Sequence, residues 1–430
     1  MGNFAQLDYF TDQSIINDPA PYFDYLRNQS PICRLPHRNV MAVTGLDEAV
    51  TIMNDSKNFS SVNAVTGPMP ELPFPLVGPD LTQTVEENRA QVLTSGMIVT
   101  MDGALHAKTR ALLMRLFTPS RLKAVEDQLT RFADGLIDEF VGHGQCEVIS
   151  QYGSPYAMLV IATLLGIPEA DQVLFREKLV ATPAQFGEED PNQKAIEQFT
   201  FLLTYFQEYI TDRRANPKDD VLTELATSLF PDGTQPEVMD VVWVAAFLFG
   251  AGQDTTARVL SAGLRFLGEM PELQARLRKD PSLVPKFVEE VLRLEGPVKV
   301  ASRLALRDTQ VGGVDIPVGT TVCIFNWAIN RDPRRFDHPH EFQLDRPRVR
   351  EHVAFGRGAH SCAGAPLART EVRVSIERIL DRLGDIRINE AKHGSGPARK
   401  YDYEATYLLR GLTEIHVDFT DLKGATSRSA

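Results

Sequence analysis

The most distinctive chemistry in this sequence belongs to the cysteine of the stretch Phe355-Gly-Arg-Gly-Ala-His-Ser-Cys-Ala-Gly364. A helix is predicted from residue 363 to about residue 383, and the positive end of a helix favours the thiolate form of Cys362. Positive φ angles, and the close approach of a flat group to the backbone, are expected at three glycines: Gly356, Gly358 and Gly364. The stretch therefore indicates an exposed sulfur that can bind a metal.

A haem is such a flat group, and the stretch resembles the Phe-Gly-x-Gly-x-His-x-Cys-x-Gly signature of cytochrome P450. The alternative is a structural cysteine beside a turn, which is the usual role of a lone cysteine. The resemblance implies that Cys362 is the axial ligand of the iron of haem b, a ligation that pushes electron density toward O–O cleavage. It also implies that Phe355 and Gly356 contact the haem and that His360 contacts a propionate.

A second motif is Met101-Asp-Gly-Ala-Leu-His-Ala-Lys-Thr-Arg110. His106 and Arg110 stand at i and i+4, so both could donate to one anion from the same helix face, although this spacing also fits a solvent-exposed pair. The motif resembles the propionate-binding His-x-x-x-Arg of the family. By the same resemblance, Arg303 in a strand-like segment is expected to be a further propionate ligand rather than a surface cation.

A third motif lies in a predicted helix, where Glu290 and Arg293 stand at i and i+3. Such pairs are common on exposed helices and contribute only tenths of a kcal/mol. The spacing resembles the Glu-x-x-Arg motif of the family, and Phe342-Gln-Leu-Asp-Arg346 matches the segment that supplies a third member. The resemblance implies that Glu290, Arg293 and Arg346 form a buried network that holds the cysteine loop.

The longest predicted helix lies between Pro236 and Pro271 and is expected to be capped at Thr234. About thirty residues would span roughly 45 Å. Residues 241–251 are apolar on every face, which predicts a central helix surrounded by protein. The next residues, Gly250-Ala-Gly-Gln-Asp-Thr-Thr256, place an acid and an alcohol in what should be a buried helix interior.

Buried polar residues and glycine disfavour a regular helix, so this segment indicates either a function or a kink with a satisfied acid. The segment resembles the Ala/Gly-Gly-x-Asp/Glu-Thr motif of the family. The resemblance implies two catalytic residues. Thr255 would organise hydrogen bonds and water at the bound O₂, and Asp254 would relay protons from solvent.

Composition fits a globular protein with a large core, since 43% of the 430 residues are hydrophobic and 24% are charged. Length alone would predict two or three domains. The resemblance instead implies one P450 domain over residues 1–430, mainly α with small β-sheets and a long central helix over the haem. A flexible tail is expected from about residue 421.

The net charge of −12 disfavours nucleic acid or an anionic membrane as the main partner. The N-terminal residues show no signal peptide or myristoylation pattern, and no apolar run reaches the roughly 18 residues of a membrane span. A cytoplasmic bacterial protein is therefore expected. Cys33, Cys146 and Cys323 are widely separated and are interpreted as reduced bystanders.

The other segments predict the walls of a substrate site. Strands are expected within residues 32–44, a helix near residues 46–54 and a long substrate-covering loop over residues 59–96. Amphipathic helices follow from residue 119 to about residue 215, with a turn-rich lid at residues 181–190 that contains Phe186. Strands and a hairpin are predicted within residues 298–319, and residues 407–413 resemble the hairpin that closes the pocket.

The candidate pocket residues carry no charge, although ordinary core packing is the alternative for each of them: Phe247, Gly250, Ala251, Val298, Val300, Ala301, Leu408 and Leu409. Apolar walls hold a ligand by burying its hydrocarbon surface, worth about 25 cal/mol per Å². A small to medium apolar substrate is therefore expected, such as a terpenoid, an alkyl-aromatic or a fatty chain.

The five motifs occur in family order between residues 101 and 369, which implies a monooxygenase. Electrons would come from NAD(P)H through a ferredoxin reductase and a [2Fe–2S] ferredoxin, since the chain resembles neither a flavin nor an iron–sulfur domain. The donor is expected to dock on a local basic patch: Arg110, Arg115, Arg348, Arg350 and Arg369. The alternatives are a peroxide-dependent peroxygenase, whose members tend to lack the acid–alcohol pair, and a non-catalytic protein that binds haem or apolar ligands.

Overall fold

The computed structural model describes residues 4–179, 191–406 and 408–423, with the backbone alone for residues 191–196. Three predicted features lie wholly or partly outside the described residues: the lid at residues 181–190 with Phe186, the closing hairpin at its first residue (Tyr407), and the tail from residue 424. The chain divides into two compact units. The first unit comprises Met1–Lys108, Glu289–Cys362 and Tyr403–Arg410, and the second comprises Thr109–Val288, Ala363–Asp402 and Gly411–Ala430. The single domain stays a prediction.

The strands of the first unit are β1 (Ile32–Arg34), β2 (Val40–Val43), β3 (Phe59–Ser60), β5 (Val300–Ala305), β6 (Thr309–Val311), β7 (Val314–Ile316) and β8 (Thr321–Phe325). Five of them form a sheet in the order β1-β2-β8-β5-β3, and β6 and β7 form a separate hairpin. The helices of this unit are α1 (Ala20–Gln29), α2 (Leu46–Asn54), α3 (Thr82–Asn88) and α13 (Asn326–Ile329). Two more helices contain residues assigned to each unit: α4 (Gly103–Met114) and α12 (Val284–Glu295).

Two neighbouring inner strands of this sheet, β2 and β8, are parallel and largely apolar on both faces. Successive side chains of a strand point to opposite faces. Val322 and Ile324 accordingly join an apolar cluster with Phe59, whereas Cys323 and Phe325 join another. Burial raises the pKa of the Cys323 thiol to about 12, which fits the predicted bystander.

The second unit is built around α10 (Val238–Glu269), a helix of 32 residues. The other helices are α5 (Pro119–Phe140), α6 (Ser154–Leu165), α7 (Glu169–Leu179), α8 (Pro191–Ala215), α9 (Val221–Thr227), α11 (Pro271–Lys279), α14 (Ala365–Arg382) and α15 (Glu390–His393). A three-stranded sheet joins β4 (Gln145–Glu147), β10 (His416–Asp421) and β9 (Leu383–Ile388) in that order. Helix α10 packs against α6, α8 and α14, which confirms the predicted central helix within this unit.

Short helical turns complete the described chain. The 3₁₀ turns are Phe4–Gln6, Gln13–Ile15, Arg89–Gln91, Ile98–Thr100, Arg115–Phe117, Val141–His143, Pro281–Leu283, Val349–Glu351, Gly358–His360 and Gly396–Ala398, and a π-helical turn spans Ile149–Gly153. The mainly α fold with small sheets is confirmed. In the part of the chain described, no helix is long and apolar enough to cross a membrane.

Two sequence predictions about these elements are wrong. Helix α10 begins after Glu237, which forms a capping box with Asp240, and not at Thr234. Thr234 instead closes a turn with Asp232. Gln235, the residue before Pro236, disfavours helical backbone, so the helix does not begin at Thr234. The loop predicted over residues 59–96 contains α3, whose Val85 is buried in a small apolar cluster. Val85 is the one buried residue of this helix, and a single apolar position does not show a helical period.

Candidate active site

The cysteine loop in the first unit is shaped by its own backbone. The Cys362 N–H donates to the Phe355 carbonyl at 2.8 Å, and the Gly356 N–H donates to the Val353 carbonyl at 2.9 Å. Gly358 has φ +69°, and a Cβ there would clash with the Met53 carbonyl oxygen, so only glycine fits.

The loop presents the sulfur as predicted, with one correction. Cys362 is exposed, and Gly356 also has a positive φ of 64°. The prediction of a positive φ at Gly364 is wrong, because this residue has φ −79° as the N-cap of α14.

Two predicted propionate ligands meet in the first unit. The rings of His106 and His360 have centroids 4.1 Å apart, and His360 Nε2 lies 3.0 Å from the Ser61 hydroxyl. The neighbouring Asp102 accepts hydrogen bonds from the Ser61 N–H at 2.8 Å and from the Arg89 guanidinium at 2.7 Å. These contacts fix the turn that leads into α4, on which Arg110 follows one helical turn after His106.

The surroundings of the buried Arg303 show whether these residues fit a haem. Burial lowers the pKa of its guanidinium to about 10, and the charge of Asp102 opposes this shift. Its hydrogen bond goes to the neutral carbonyl of Ser302, and no salt bridge involves Arg303 among the residues that the structure describes. A buried cation without a bonded carboxylate, together with two imidazoles in the same unit, fits the carboxylates of a haem.

The three predicted network residues also come together in the first unit. Glu290 accepts from Arg293 Nε and Nη2 at 2.8 Å each and from Arg346 Nε at 2.9 Å. The side chains of Glu290 and Arg293 are both 0% exposed. Burial lowers the pKa of the Arg293 guanidinium, and hydrogen bonds to Glu290 oppose this shift.

The remaining donors of the network bind backbone carbonyls. Arg293 Nη1 donates to the carbonyls of Asn330 at 2.9 Å and Pro339 at 2.7 Å, and Arg346 Nη2 donates to that of Glu341 at 2.8 Å. The side chain of Asn330 accepts from the Val353 N–H at 2.7 Å, just before the cysteine loop. The network is therefore linked to the loop that it was predicted to hold.

The acid–alcohol pair lies on α10 in the second unit. Arg258 Nη2 donates to both carboxylate oxygens of Asp254, at 3.0 and 2.9 Å, and the Thr255 hydroxyl donates to the Ala251 carbonyl at 2.7 Å. The prediction of a buried helix interior is wrong here, because the Asp254 side chain is 49% exposed. Buried residues, which precede this segment up to Phe249, resume at Thr256 and Ala257.

Sequence reasoning missed a buried carboxyl in the same unit. Glu371 on α14 is buried, and burial raises its pKa to about 8, opposed by a hydrogen bond with the Thr256 side chain. The Tyr156 hydroxyl donates to the Glu371 carbonyl at 3.2 Å. The missed residues of the first unit include Asp102, Glu289 and His352. Asp102 and Glu289 stand directly beside motif residues, which was the only signal for them.

Four candidate pocket residues are close together in the first unit. Val298 forms an antiparallel bridge with Leu409, and the Lys299 N–H donates to the Leu408 carbonyl at 2.9 Å. Val300 is fully buried and packs in a cluster to which Leu408 is adjacent. In the second unit, Phe247 and Gly250 are half-buried and Ala251 is exposed, and a Cβ at Gly250 would meet nothing within 4 Å.

The predicted basic patch has members in both units. In the first unit, Arg348 and Arg350 are exposed and pair with Glu351 at 2.5 Å and Glu289 at 3.3 Å. In the second unit, the exposed Arg115 donates to the Leu229 carbonyl at 3.0 Å, and Arg369 on α14 is half-buried.

The fold and the cysteine loop together define a haem-thiolate class of protein, and comparison with known proteins gives the family. The family model of cytochrome P450 matches residues 189–384. The chain is similar to the substrate-free structure of cytochrome P450 CYP150A6 of Mycobacterium marinum, with 52% identity, a TM-score of 0.92 and coverage of 97% of this chain and 100% of that one. It is 31% identical to cytochrome P450 109 of Bacillus spizizenii, over 84% of each chain. It also resembles CYP109E1 of Bacillus megaterium in complex with corticosterone, with 25% identity, a TM-score of 0.77 and coverage of 93% and 98%.

The chain belongs to the cytochrome P450 family. It is a monooxygenase whose cofactor is haem b and whose electrons come from NAD(P)H through redox partners. The cytoplasmic location and the roles of individual residues stay predictions.

Proposed function

We propose that this enzyme hydroxylates or epoxidises small to medium apolar molecules, such as terpenoids, alkyl-aromatics or fatty chains. The apolar candidate residues Val298, Leu408 and Leu409, which are neighbours in the first unit, support this substrate class. A relative crystallised with corticosterone, a largely hydrocarbon ligand, also supports it.

Cys362 is the proposed ligand of the haem iron, and His106, Arg110, Arg303 and His360 are the proposed partners of the propionates. The observation that carries this assignment is the buried Arg303 guanidinium, whose charge is not balanced by a bonded carboxylate within the described ranges. When bound, the haem supplies the oxygen activation. Phe355 and Gly356 would hold the backbone of the cysteine loop against it.

Proton supply is assigned to α10. Asp254 would take protons from solvent, to which its half-exposed carboxylate has access, and Thr255 would pass them inward. The Thr255 hydroxyl now bonds the Ala251 carbonyl and would have to turn to donate elsewhere. The intact pair argues against a peroxide-dependent enzyme.

A [2Fe–2S] ferredoxin and its reductase are the proposed electron route. The arginines proposed to attract the donor are Arg348 and Arg350 in the first unit and Arg110, Arg115 and Arg369 in the second, in a chain of net charge −12. An acidic donor would be attracted to them, and reduction should slow as salt rises because the Debye length is about 10 Å at 0.1 M.

The test of substrate class is a titration of the ferric holoenzyme with a panel of compounds, following the shift from low to high spin. Terpenoids, alkyl-aromatics and fatty acids are expected to produce the shift at the lowest concentrations. Tighter binding of sugars or highly charged compounds would contradict the assigned pocket. Substrate-dependent NAD(P)H consumption with a ferredoxin and reductase, and none with peroxide alone, would separate the monooxygenase from its alternatives.

A further inference from the structure

Two consecutive acids on α12 bind different partners. Glu290 belongs to the arginine network, whereas the neighbouring Glu289 lies with its Oε2 2.9 Å from His352 Nε2. Both side chains are almost fully buried, at 3% exposure for Glu289 and 1% for His352. This acid–imidazole pair lies in the first unit and has no part in the function proposed above.

The proton on the imidazole can be placed from its second hydrogen bond. His352 Nδ1 accepts from the Ala354 N–H at 3.2 Å, so Nδ1 carries no proton. Nε2 therefore carries the proton and donates it to Glu289. Because both ring nitrogens are bonded, the ring has one orientation and ties α12 to the backbone at Ala354.

From Ala354 the hydrogen bonds lead to the proposed haem ligand. The Val353 carbonyl accepts from the Gly356 N–H, and the Phe355 carbonyl accepts from the Cys362 N–H. The arginine network reaches the same segment, since the Asn330 side chain accepts from the Val353 N–H. The two adjacent glutamates thus hold two adjacent residues at the start of one loop.

The second carboxylate oxygen of Glu289 forms an ion pair with a surface cation. Arg350 Nε lies 3.3 Å from Glu289 Oε1, and the Arg350 side chain is 73% exposed. The nearby Arg348 is 61% exposed and pairs with Glu351 instead. A buried carboxylate thus has a hydrogen bond with an internal imidazole through one oxygen and an ion pair with a solvent-exposed guanidinium through the other.

We propose that Glu289 and His352 are positioning residues for the Cys362 loop and that Arg350 balances the charge of this pair. The inference rests on the proposed ligation by Cys362. A buried negative charge is weakly screened and favours the ferric over the ferrous state of a haem held by this loop. Arg350 is also one of the residues where the electron donor is proposed to dock. The cation that offsets the charge of Glu289 is therefore exposed to that donor.

The test is the reduction potential of the holoenzyme, measured with small dye mediators and no protein donor. Arg350→Gln leaves Glu289 less compensated, so the ratio of ferrous to ferric haem at a fixed applied potential should fall about threefold. A tenfold change would equal about 59 mV for one electron. Arg348→Gln removes the same charge from a neighbouring surface position and should leave the ratio unchanged. Equal effects of the two variants, or none from Arg350→Gln, would overturn the proposal.

Glu289→Gln should move the ratio in the opposite direction, because it removes the buried charge. His352→Gln should decrease the fraction of the reduced carbon-monoxide complex that keeps its red-shifted Soret band. The matched control is His393→Gln, since His393 is also buried and its Nε2 accepts a backbone N–H, that of His416, at 2.9 Å. This control should lower stability without changing the band.

The outcomes separate this inference from the proposed function. If the Glu289 or His352 variants do not incorporate haem, the two arginine variants still decide the question. If the wild-type band is not red-shifted, or survives Cys362→Ser, the proposed ligation fails. If the band is normal and no variant changes the potential, Glu289 and His352 have a purely structural role and the inference is wrong.

Discussion

Glu290 and Asp254 are both helical carboxylates that pair with an arginine one turn further along, Arg293 at i+3 and Arg258 at i+4. In the first unit, Glu290 is fully buried and the arginines around it donate to several backbone segments. In the second unit, Asp254 is 49% exposed and its arginine partner lies on its own helix. The same local pattern therefore yields a fixed frame in one region and an ion pair that can exchange partners in the other.

The two ion pairs differ in their contribution to stability because one is buried and the other is exposed. Removing one member of a buried ion pair typically costs about 3–5 kcal/mol, whereas an exposed pair contributes about 0–1 kcal/mol. Proton relay requires a group that can release one partner and accept another. A rigid frame suits the positioning of the cysteine loop, and a loosely held acid suits proton transfer.

The largest effect is expected at the cysteine of the frame. Cys362→Ser should abolish the red-shifted Soret band of the reduced carbon-monoxide complex and all oxygen activation, because the thiolate supplies the electronic push. Visible spectra of the reduced enzyme with carbon monoxide provide the measurement. Cys33→Ser is the control and should keep the band; a serine variant of Cys362 that keeps it would show that another residue is the ligand.

The next largest effect tests the rigidity of the frame. Arg293→Ala should lower the free energy of unfolding by about 3–5 kcal/mol, since it leaves Glu290 buried without its main cation. Arg387→Ala removes the exposed pair with Asp385 and should cost no more than about 1 kcal/mol. Urea unfolding of both variants gives the comparison, and equal losses would mean that burial does not distinguish the pairs.

A smaller effect, on rate rather than on stability, is expected at α10. Asp254→Asn should slow turnover by about 10²-fold, the range that general acid–base groups contribute. Thr255→Ala should retain substrate binding while reduced oxygen is released as hydrogen peroxide. Product and peroxide formed per NAD(P)H are the quantities to measure. Unchanged coupling in Thr255→Ala would show that the hydroxyl is not needed.

A matched pair of arginine variants tests whether the partner of Asp254 influences the proton relay. Arg258→Met removes the partner of Asp254, and Arg265→Met removes a similar i, i+4 pair with Glu269 on the same helix. Only Arg258→Met should change the solvent isotope effect on turnover. Identical isotope effects in the two variants would indicate that Arg258 does not influence the relay.

The smallest effect concerns the buried acid of the second unit. The pKa of Glu371 is raised to about 8 from an ordinary value of 4.5, so its neutral form stabilises the fold fully below about pH 4.5. This contribution is lost as the pH rises toward 8, at about 1 kcal/mol per pH unit. Glu371→Gln should remove that slope in urea unfolding between pH 6 and pH 8. The exposed Glu272→Gln should not, and a slope that persists in Glu371→Gln would contradict the assignment.

The sequence by itself determined the family, the motif residues and most elements. Helix α2 and the turn at Gly312 and Gly313 follow from local backbone preferences and short-range apolar patterns. The i, i+3 spacing also identified Glu290 and Arg293. These features depend on residues a few positions apart, which a sequence displays directly.

Tertiary structure alone decided burial and long-range partners. The exposure of Asp254, the raised pKa of Glu371 and the bond between Glu289 and His352 depend on segments distant in sequence, in the last case 63 residues apart. Hydrophobic periodicity predicts which face of a helix is apolar, but not which neighbouring element covers it. The charge state and freedom of a carboxylate follow from that covering, since desolvation and bonded donors fix its energy.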